Sequence, residues 1–287
     1  MSLPLRILLG LAPQLVLIGA VVVGAVTAYH GRVGSGLFVG CVVVVLVAVV
    51  GFVFVQQEFS FGWPAGMLLL AGLVAAVFAP SGRVPAVLAI DAEAGAMVLE
   101  EILPGTEAED LPGATLPRQW GELLAALHGV AVPAHWPWDL RGRLDEAFGR
   151  IGQRLTEPAI GARIDQTTWQ RAIRRCETLL DTQTRLVLLH GDLHLGNVLD
   201  GGPSRGLVAI DPKACIGDPC FDAVDYVVAG AGHEGVEARC QRVATACGLD
   251  GDRLYSWSQV IAPVFAIAHL THGGREPVID DLLAVAS

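Results

Sequence analysis

His190-Gly191-Asp192-Leu193-His194-Leu195-Gly196-Asn197, followed by Ile210-Asp211-Pro212, is the stretch that decides the fold. A histidine is followed two residues on by an acid and five residues later by an asparagine. A second acid stands beyond a short strand-like run. This is the spacing of a phosphoryl-transfer loop. Moving a phosphoryl group to an alcohol needs a carboxylate to accept or orient the hydroxyl proton, divalent metal to neutralise phosphate oxygens, and in-line alignment of the parts. Asp192 is the candidate base, on a loop after a strand where a side chain meets substrate. Asn197 offers a neutral oxygen and Asp211 an anionic one, both hard donors suited to Mg2+. His190 is expected to hold the loop by hydrogen bonds. Asp218 and Asp222 are expected to be structural, at a turn and helix start and against loop backbone respectively. His194 remains open between loop packing and substrate contact. A His190-x-Asp192-x-His194 metal triad would leave Asn197 and Asp211 idle.

Working outward, 186–189 reads as a buried strand feeding the loop, and 197–199 with 207–210 as a hairpin tipped by Gly201-Gly202-Pro203. That pairing would bring Asn197 and Asp211 to one end of the hairpin. Upstream, 86–91 and 96–101 read as two strands joined by Ala92-Glu93-Ala94-Gly95, ended by Pro104-Gly105. Trp120, Leu123, Leu124 and Leu127 form an apolar stripe that predicts a helix over 116–128, and similar stripes recur at Leu140/Leu144/Phe148/Ile151 and Trp169/Ile173/Cys176/Leu180. Helices are expected over 221–228, 235–246, 253–269 and 277–285, with Gly248 past a helix end and Asp252 as an N-cap. The sum is an α+β unit, mostly helical.

The first eighty residues differ. Their only charged residues are Arg6, Arg32 and Glu58, and three apolar runs occupy 8–28, 37–55 and 63–79. Runs approaching ~20 apolar residues predict a three-helix transmembrane segment. A signal peptide is the rival for the first run. Arg32 and Arg83 place their loops on the cytosolic side by the positive-inside rule, and the C-terminal region with them. Pro80-Ser81-Gly82 marks a boundary, giving a membrane segment over 1–83 with the lipid bilayer as partner and the cytoplasmic membrane as location.

Beyond position 80 lie 17 basic and 28 acidic residues. This balance disfavours nucleic acid as a partner and suits a cationic small molecule. The six cysteines form no CxxC pair, so buried free thiols are expected rather than zinc.

HGDLHLGNVL followed by AIDPKACIGDPCFD resembles the aminoglycoside phosphotransferase family, in particular its streptomycin and hydroxyurea phosphotransferase branch. The resemblance runs from about Val84 to the C-terminus. It implies a protein-kinase-like C-lobe over 114–287, preceded by remnant N-lobe strands and a hinge over 84–113. ATP with Mg2+ and a small hydroxylated acceptor are implied too. By the same resemblance Asp192 is the catalytic base and Asn197 and Asp211 are metal ligands. The segment containing Glu100, Glu101 and Ile102 is the hinge that meets adenine through backbone groups. The family's N-lobe also carries a strand lysine, a helix glutamate paired with it and a phosphate-covering hairpin. The only lysine in this chain is Lys213, so no lysine stands upstream. A catalytically impaired kinase-like binding module, or a fusion relic, is the alternative expectation.

Overall fold

A computed structural model of the chain describes residues 63–287 except 92, 93 and 95. The described elements begin with helix α1 (Trp63–Phe78), followed by strands β1 (Val87–Asp91) and β2 (Ala96–Leu99). These strands pair antiparallel, with Val87 opposite Leu99 and Asp91 opposite Ala96. A helical region follows: α2 (Leu116–His128), α3 (Leu140–Gly152), the single turn α4 (Pro158–Gly161) and α5 (Gln166–Asp181). Four three-residue strands come next: β3 (Val187–Leu189), β4 (Val198–Asp200), β5 (Leu207–Ala209) and β6 (Cys215–Gly217). The chain finishes with α6 (Phe221–Val228), α7 (Val236–Cys247), α8 (Gly251–His272) and α9 (Glu276–Ala286).

The apolar stripe of α2 makes it a core helix. Leu116, Trp120, Leu123, Leu124 and Leu127 are all buried, and α2 packs on α7. Burying a large apolar side chain contributes roughly 1.5–3 kcal/mol, so such stripes rather than local propensity hold the helices. α8 is the hub, packed against α5, α6, α7 and α9. Its N-cap is Asp250, whose carboxylate accepts from the Arg253 N–H at 3.0 Å. The cap therefore falls two residues before the expected Asp252, because the capping oxygen must reach the N–H three residues on. Asp139 and Asp165 cap α3 and α5 in the same way, accepting from Gly142 N and Thr168 N.

The third apolar run is α1, and it overturns the expected three-helix transmembrane segment. At 16 residues it is about 24 Å long, short of the ~30 Å hydrocarbon core. No helix among the described residues is long and apolar enough to cross a membrane. Instead, α1 buries Val74 and Phe78 in the same hydrophobic core as α2 and β3. The Phe78 ring lies 6.5 Å from that of His190. Gly72 approaches β1 so closely that a Cβ there would lie 2.5 Å from Ile90 Cδ1. Hydropathy alone does not separate a core helix from a membrane span; what α1 packs against does. The first two apolar runs lie outside the described residues.

Arg83, taken above as a membrane-flanking charge, is sewn into the fold. Its guanidinium donates to the carbonyls of Arg205 and Leu207, and its own carbonyl accepts from Ala209 N at 2.7 Å. Arg205 returns the contact, donating to Gly82 O, to Val84 O and to the Glu100 carboxylate. The segment after α1 is thereby fixed to the β4–β5 hairpin.

Candidate active site

The residues of the candidate catalytic loop sit between two short antiparallel pairs. β3 pairs with β6, Leu189 opposite Cys215, and β4 pairs with β5, Val198 opposite Ala209. The loop between β3 and β4 is fixed by Asp222, buried at the start of α6. Its two oxygens accept from the N–H groups of His190 and Gly191, both at 2.8 Å, and Oδ2 also lies 3.0 Å from His128 Nε2. Burial on its own would raise the pKa of Asp222. The His128 hydrogen bond and the Gly191 N–H help to outweigh it and hold the carboxyl below its ordinary value. Gly191 has φ +80°, and a Cβ there would come within 2.6 Å of Lys213 O, so the turn requires glycine.

His190 is fully buried. Nε2 lies 3.0 Å from Ile210 O and Nδ1 accepts from Asp192 N at 3.4 Å. One ring nitrogen faces an acceptor and the other a donor, which assigns a neutral imidazole protonated on Nε2. Burial pushes its pKa down, in keeping with that state. Both nitrogens are occupied, so His190 is not free to join a metal triad. No cluster of three or more His, Cys, Asp or Glu side chains able to hold a metal occurs among the described residues. His194 is exposed.

Asn197 is buried and donates Nδ2–H to the Asp192 carbonyl at 2.9 Å. With the NH2 end committed, the carboxamide presents its oxygen elsewhere. The β4–β5 register continues one step past the strands, where Ile210 N donates to Asn197 O at 2.9 Å. Asp211 follows directly, in the left-handed region at φ +54° and with its side chain exposed. A neutral amide oxygen and a carboxylate at one end of a hairpin form an oxygen-only donor pair that fits Mg2+, an ion that binds through one or two protein groups plus phosphates and water.

Asp192 is flanked by two cations. Lys213 Nζ donates to Oδ2 at 2.5 Å, and Arg143 Nη2 from α3 lies 3.6 Å from Oδ1. Arg143 also donates to Lys213 O at 3.3 Å. Asp192 also lines a cleft of about 680 Å3 that includes Glu109, Asp225, His233, Phe265 and Arg275. Burial, with the charges of Asp192 and Asp222, raises the pKa of Asp225 to about 7. A separate, more apolar cavity of about 500 Å3 brings α1 residues Ala71 and Val74 together with Arg143, Asp211 and Lys213.

Asp218 lies apart from this cleft. It is buried and accepts from Cys220 N at 3.0 Å, from Trp257 Nε1 at 2.8 Å and from the Arg253 guanidinium, tying the β6–α6 turn to α8. The residues expected to form the hinge, Glu100, Glu101 and Ile102, lie between β2 and the cis Leu103–Pro104 bond. Glu100 is bound at both ends, its N–H donating to Ala86 O and its carboxylate accepting from Ala86 N and Arg205. Those contacts, led by the Ala86 N–H, hold its carboxyl below the usual glutamate value. Glu101 and Ile102 continue the chain towards Gly105, whose N–H donates to Asp200 O.

His128 and Arg143 escape sequence reasoning. His128 continues the α2 stripe, a helical turn beyond Leu124, which was an available signal for a buried histidine. Nothing local marks Arg143, which lies 49 residues before Asp192 in the chain.

A small, strand-poor N-terminal part ahead of a helical lobe, with the loop His190–Asn197 and Asp211 at its strand ends, defines a kinase-like phosphotransferase. The chain belongs to the phosphotransferase enzyme family, whose sequence profile matches residues 54–256. That match begins before α1 and so includes it. Among curated proteins, hydroxyurea phosphotransferase of Kitasatospora aureofaciens is 33% identical over 139 residues, 47% of this chain and 38% of that protein. The matched part is thus about two fifths of that relative's length. Among solved structures, choline kinase LicA from Streptococcus pneumoniae aligns at TM-score 0.54 and 13% identity, over 75% of this chain and 78% of that one. A choline/ethanolamine kinase family protein from Mesorhizobium loti aligns at 0.52 and 21%, over 76% and 74%. At these identities the likeness is one of fold.

Proposed function

We propose that this chain transfers the γ-phosphoryl group of ATP to a hydroxyl of a small molecule, with Asp192 as general base and Asn197 and Asp211 as the Mg2+ donors. The observation that carries this is the tie between the three residues. Asn197 donates to the Asp192 carbonyl, and the residue before Asp211 donates to Asn197. One short hairpin end therefore sets the base and both donors together. Magnesium, when bound, would neutralise phosphate oxygens. The chain's own part is positioning: Asp222 and His190 hold the loop, and Asp192 is presented to the cleft as proton acceptor for the hydroxyl. Backbone groups of Glu101 and Ile102 are proposed to meet the adenine. ATP is a cytosolic substrate, so the unit is proposed to work on the cytosolic side.

The cleft favours a cationic acceptor. Glu109, Asp192 and Asp225 set three carboxyl groups against the guanidinium of Arg275, and a volume of about 680 Å3 suits a drug-sized ligand. Hydroxyurea is neutral, whereas streptomycin carries guanidinium groups, so we place a streptomycin-like aminoglycoside ahead of hydroxyurea. The test is mass-spectrometric detection of phosphorylated product after incubation of the full chain with Mg-ATP and each acceptor. Phosphorylated streptomycin is the expected result. Phosphorylation of hydroxyurea alone would reverse the order of acceptors.

A second reading, a kinase-like binding module with impaired turnover, is favoured by one observation. The only lysine of the chain is Lys213, and α1 carries no charged residue with which an upstream lysine would pair. Acceptor binding without phosphorylated product in the same assay is its signature.

A further inference from the structure

We propose that Lys213 and Arg143 form the cationic clamp that holds the transferring phosphoryl group, taking the place of the upstream strand lysine that this chain lacks. The inference rests on the phosphotransferase reading above and assigns two further residues of the same site.

Lys213 is the only lysine in 287 residues, and it stands two positions after Asp211. Its side chain is about half exposed, and its Nζ reaches Asp192 Oδ2 at 2.5 Å. Arg143 approaches the other carboxylate oxygen at 3.6 Å and is tied to the Lys213 carbonyl at 3.3 Å. Both cations and Asp211 border one cavity, the apolar one that α1 also lines, while Asp192 lines the proposed acceptor cleft. The two charges thus touch the carboxylate that takes the proton and share a cavity lining with Asp211. That is where a phosphoryl group would pass on its way to a hydroxyl.

A resting ion pair alone would not need two cations on one partly exposed carboxylate; such exposed pairs contribute little stability. The arrangement suits a charge that moves during the reaction. The acceptor oxygen forms a bond to the γ-phosphorus, and its proton passes to Asp192. The bond from that phosphorus to the β–γ bridging oxygen breaks, and ADP leaves with the electron pair. As Asp192 takes the proton it loses its charge, and its hold on Lys213 weakens. Lys213 and Arg143 keep their own protons throughout and donate to the non-bridging phosphoryl oxygens. Cations placed where charge develops stabilise the transition state more than the ground state. Lysine, a compact charge on a flexible stem with three donors, can turn from carboxylate to phosphoryl oxygen.

The test is calorimetric titration of the full chain with a non-hydrolysable ATP analogue and with ADP, both with Mg2+, in wild type, Lys213→Met, Lys213→Arg and Arg143→Met. Wild type should prefer the γ-phosphate-bearing ligand. Lys213→Met should lose that preference by on the order of tenfold while leaving ADP affinity in place, and Lys213→Arg should restore part of it. Arg143→Met should show a smaller loss of the same kind. Circular dichroism of each variant checks that it folds, and the charge-retaining Lys213→Arg keeps the test open if Lys213→Met does not. An unchanged triphosphate preference in Lys213→Met, or in both Lys213→Arg and Arg143→Met, overturns the clamp and leaves the phosphotransferase reading standing. Failure of wild type to bind either nucleotide overturns both.

Discussion

The segment 190–222 and the segment 63–105 make opposite use of their residues. In the first, nearly every polar group has an assigned partner. Asp222 takes the N–H groups of His190 and Gly191 and the ring of His128, His190 bridges to Ile210, and Asn197 is turned by Asp192. In the second, the two-stranded sheet leaves Leu88, Ile90, Val98 and Leu99 exposed, and α1 meets the rest of the fold through Val74 and Phe78 rather than through any charge. A phosphoryl-transfer site needs its acceptor side fixed to a fraction of an ångström, because misplacement of ~1 Å costs about 10²-fold in rate. The dense bonding around Asp192 provides that. In the upstream segment the one cation, Arg83, is spent on the carbonyls of Arg205 and Leu207, and the cations beside Asp192 stand on α3 and after Asp211 instead.

A large stability effect is expected on the densely bonded side. Asp222→Ala would leave two backbone N–H groups and His128 buried without their acceptor. It should cost about 3–5 kcal/mol in urea unfolding. Since the folded pKa of Asp222 is depressed, its contribution is fully present above the unfolded carboxyl pKa and is lost as pH falls through the lower folded value. The variant should therefore show a weaker acid-induced loss of stability than wild type; an identical acid limb would remove Asp222 from that role.

Phe78→Ala tests the other side. Truncating a fully buried phenylalanine should cost about 3–5 kcal/mol, read as a lowered urea midpoint with unchanged slope. A cost below ~1 kcal/mol would contradict the placement of α1 in the core.

Asp225→Asn should act more gently. Its folded pKa of about 7 stands above the ordinary aspartate value of about 3.8, so wild-type stability falls as pH rises from about 4 towards 7, and the variant should flatten that fall. If the proposed cationic acceptor binds there, the carboxylate ionising as pH rises through about 7 should also strengthen the cleft's hold on it. Asp225→Asn should weaken streptomycin binding at pH 8 more than at pH 6, and equal loss at both would count against ionised Asp225 as a contact.

Periodicity and turn chemistry made much of this fold legible. The α2 stripe, the Gly201-Gly202-Pro203 tip and the helices after residue 220 are encoded within a few neighbouring residues, and their helix boundaries shift by at most three positions. β6 was not legible, because a three-residue strand acquires its pattern only from pairing with β3. The end of α1 was misread, because a run of Leu, Val, Ala and Phe looks the same to hydropathy whether it faces lipid or His190. The site was legible where its residues are close in sequence, in 190–197 and at 211. It was not where the tertiary fold gathers Arg143, His128 and Asp225 around them. The thiols follow the same logic. Cys176, Cys215 and Cys220 are buried, with pKa values raised to about 12 by desolvation, and no motif had paired them.

The most direct test of the account is phosphorus NMR of the full chain incubated with Mg-ATP and streptomycin, run beside Asp192→Ala. The account predicts a new phosphomonoester signal with wild type and its fall by about 10²–10⁴-fold in rate without the base. Equal rates in the two proteins would contradict it.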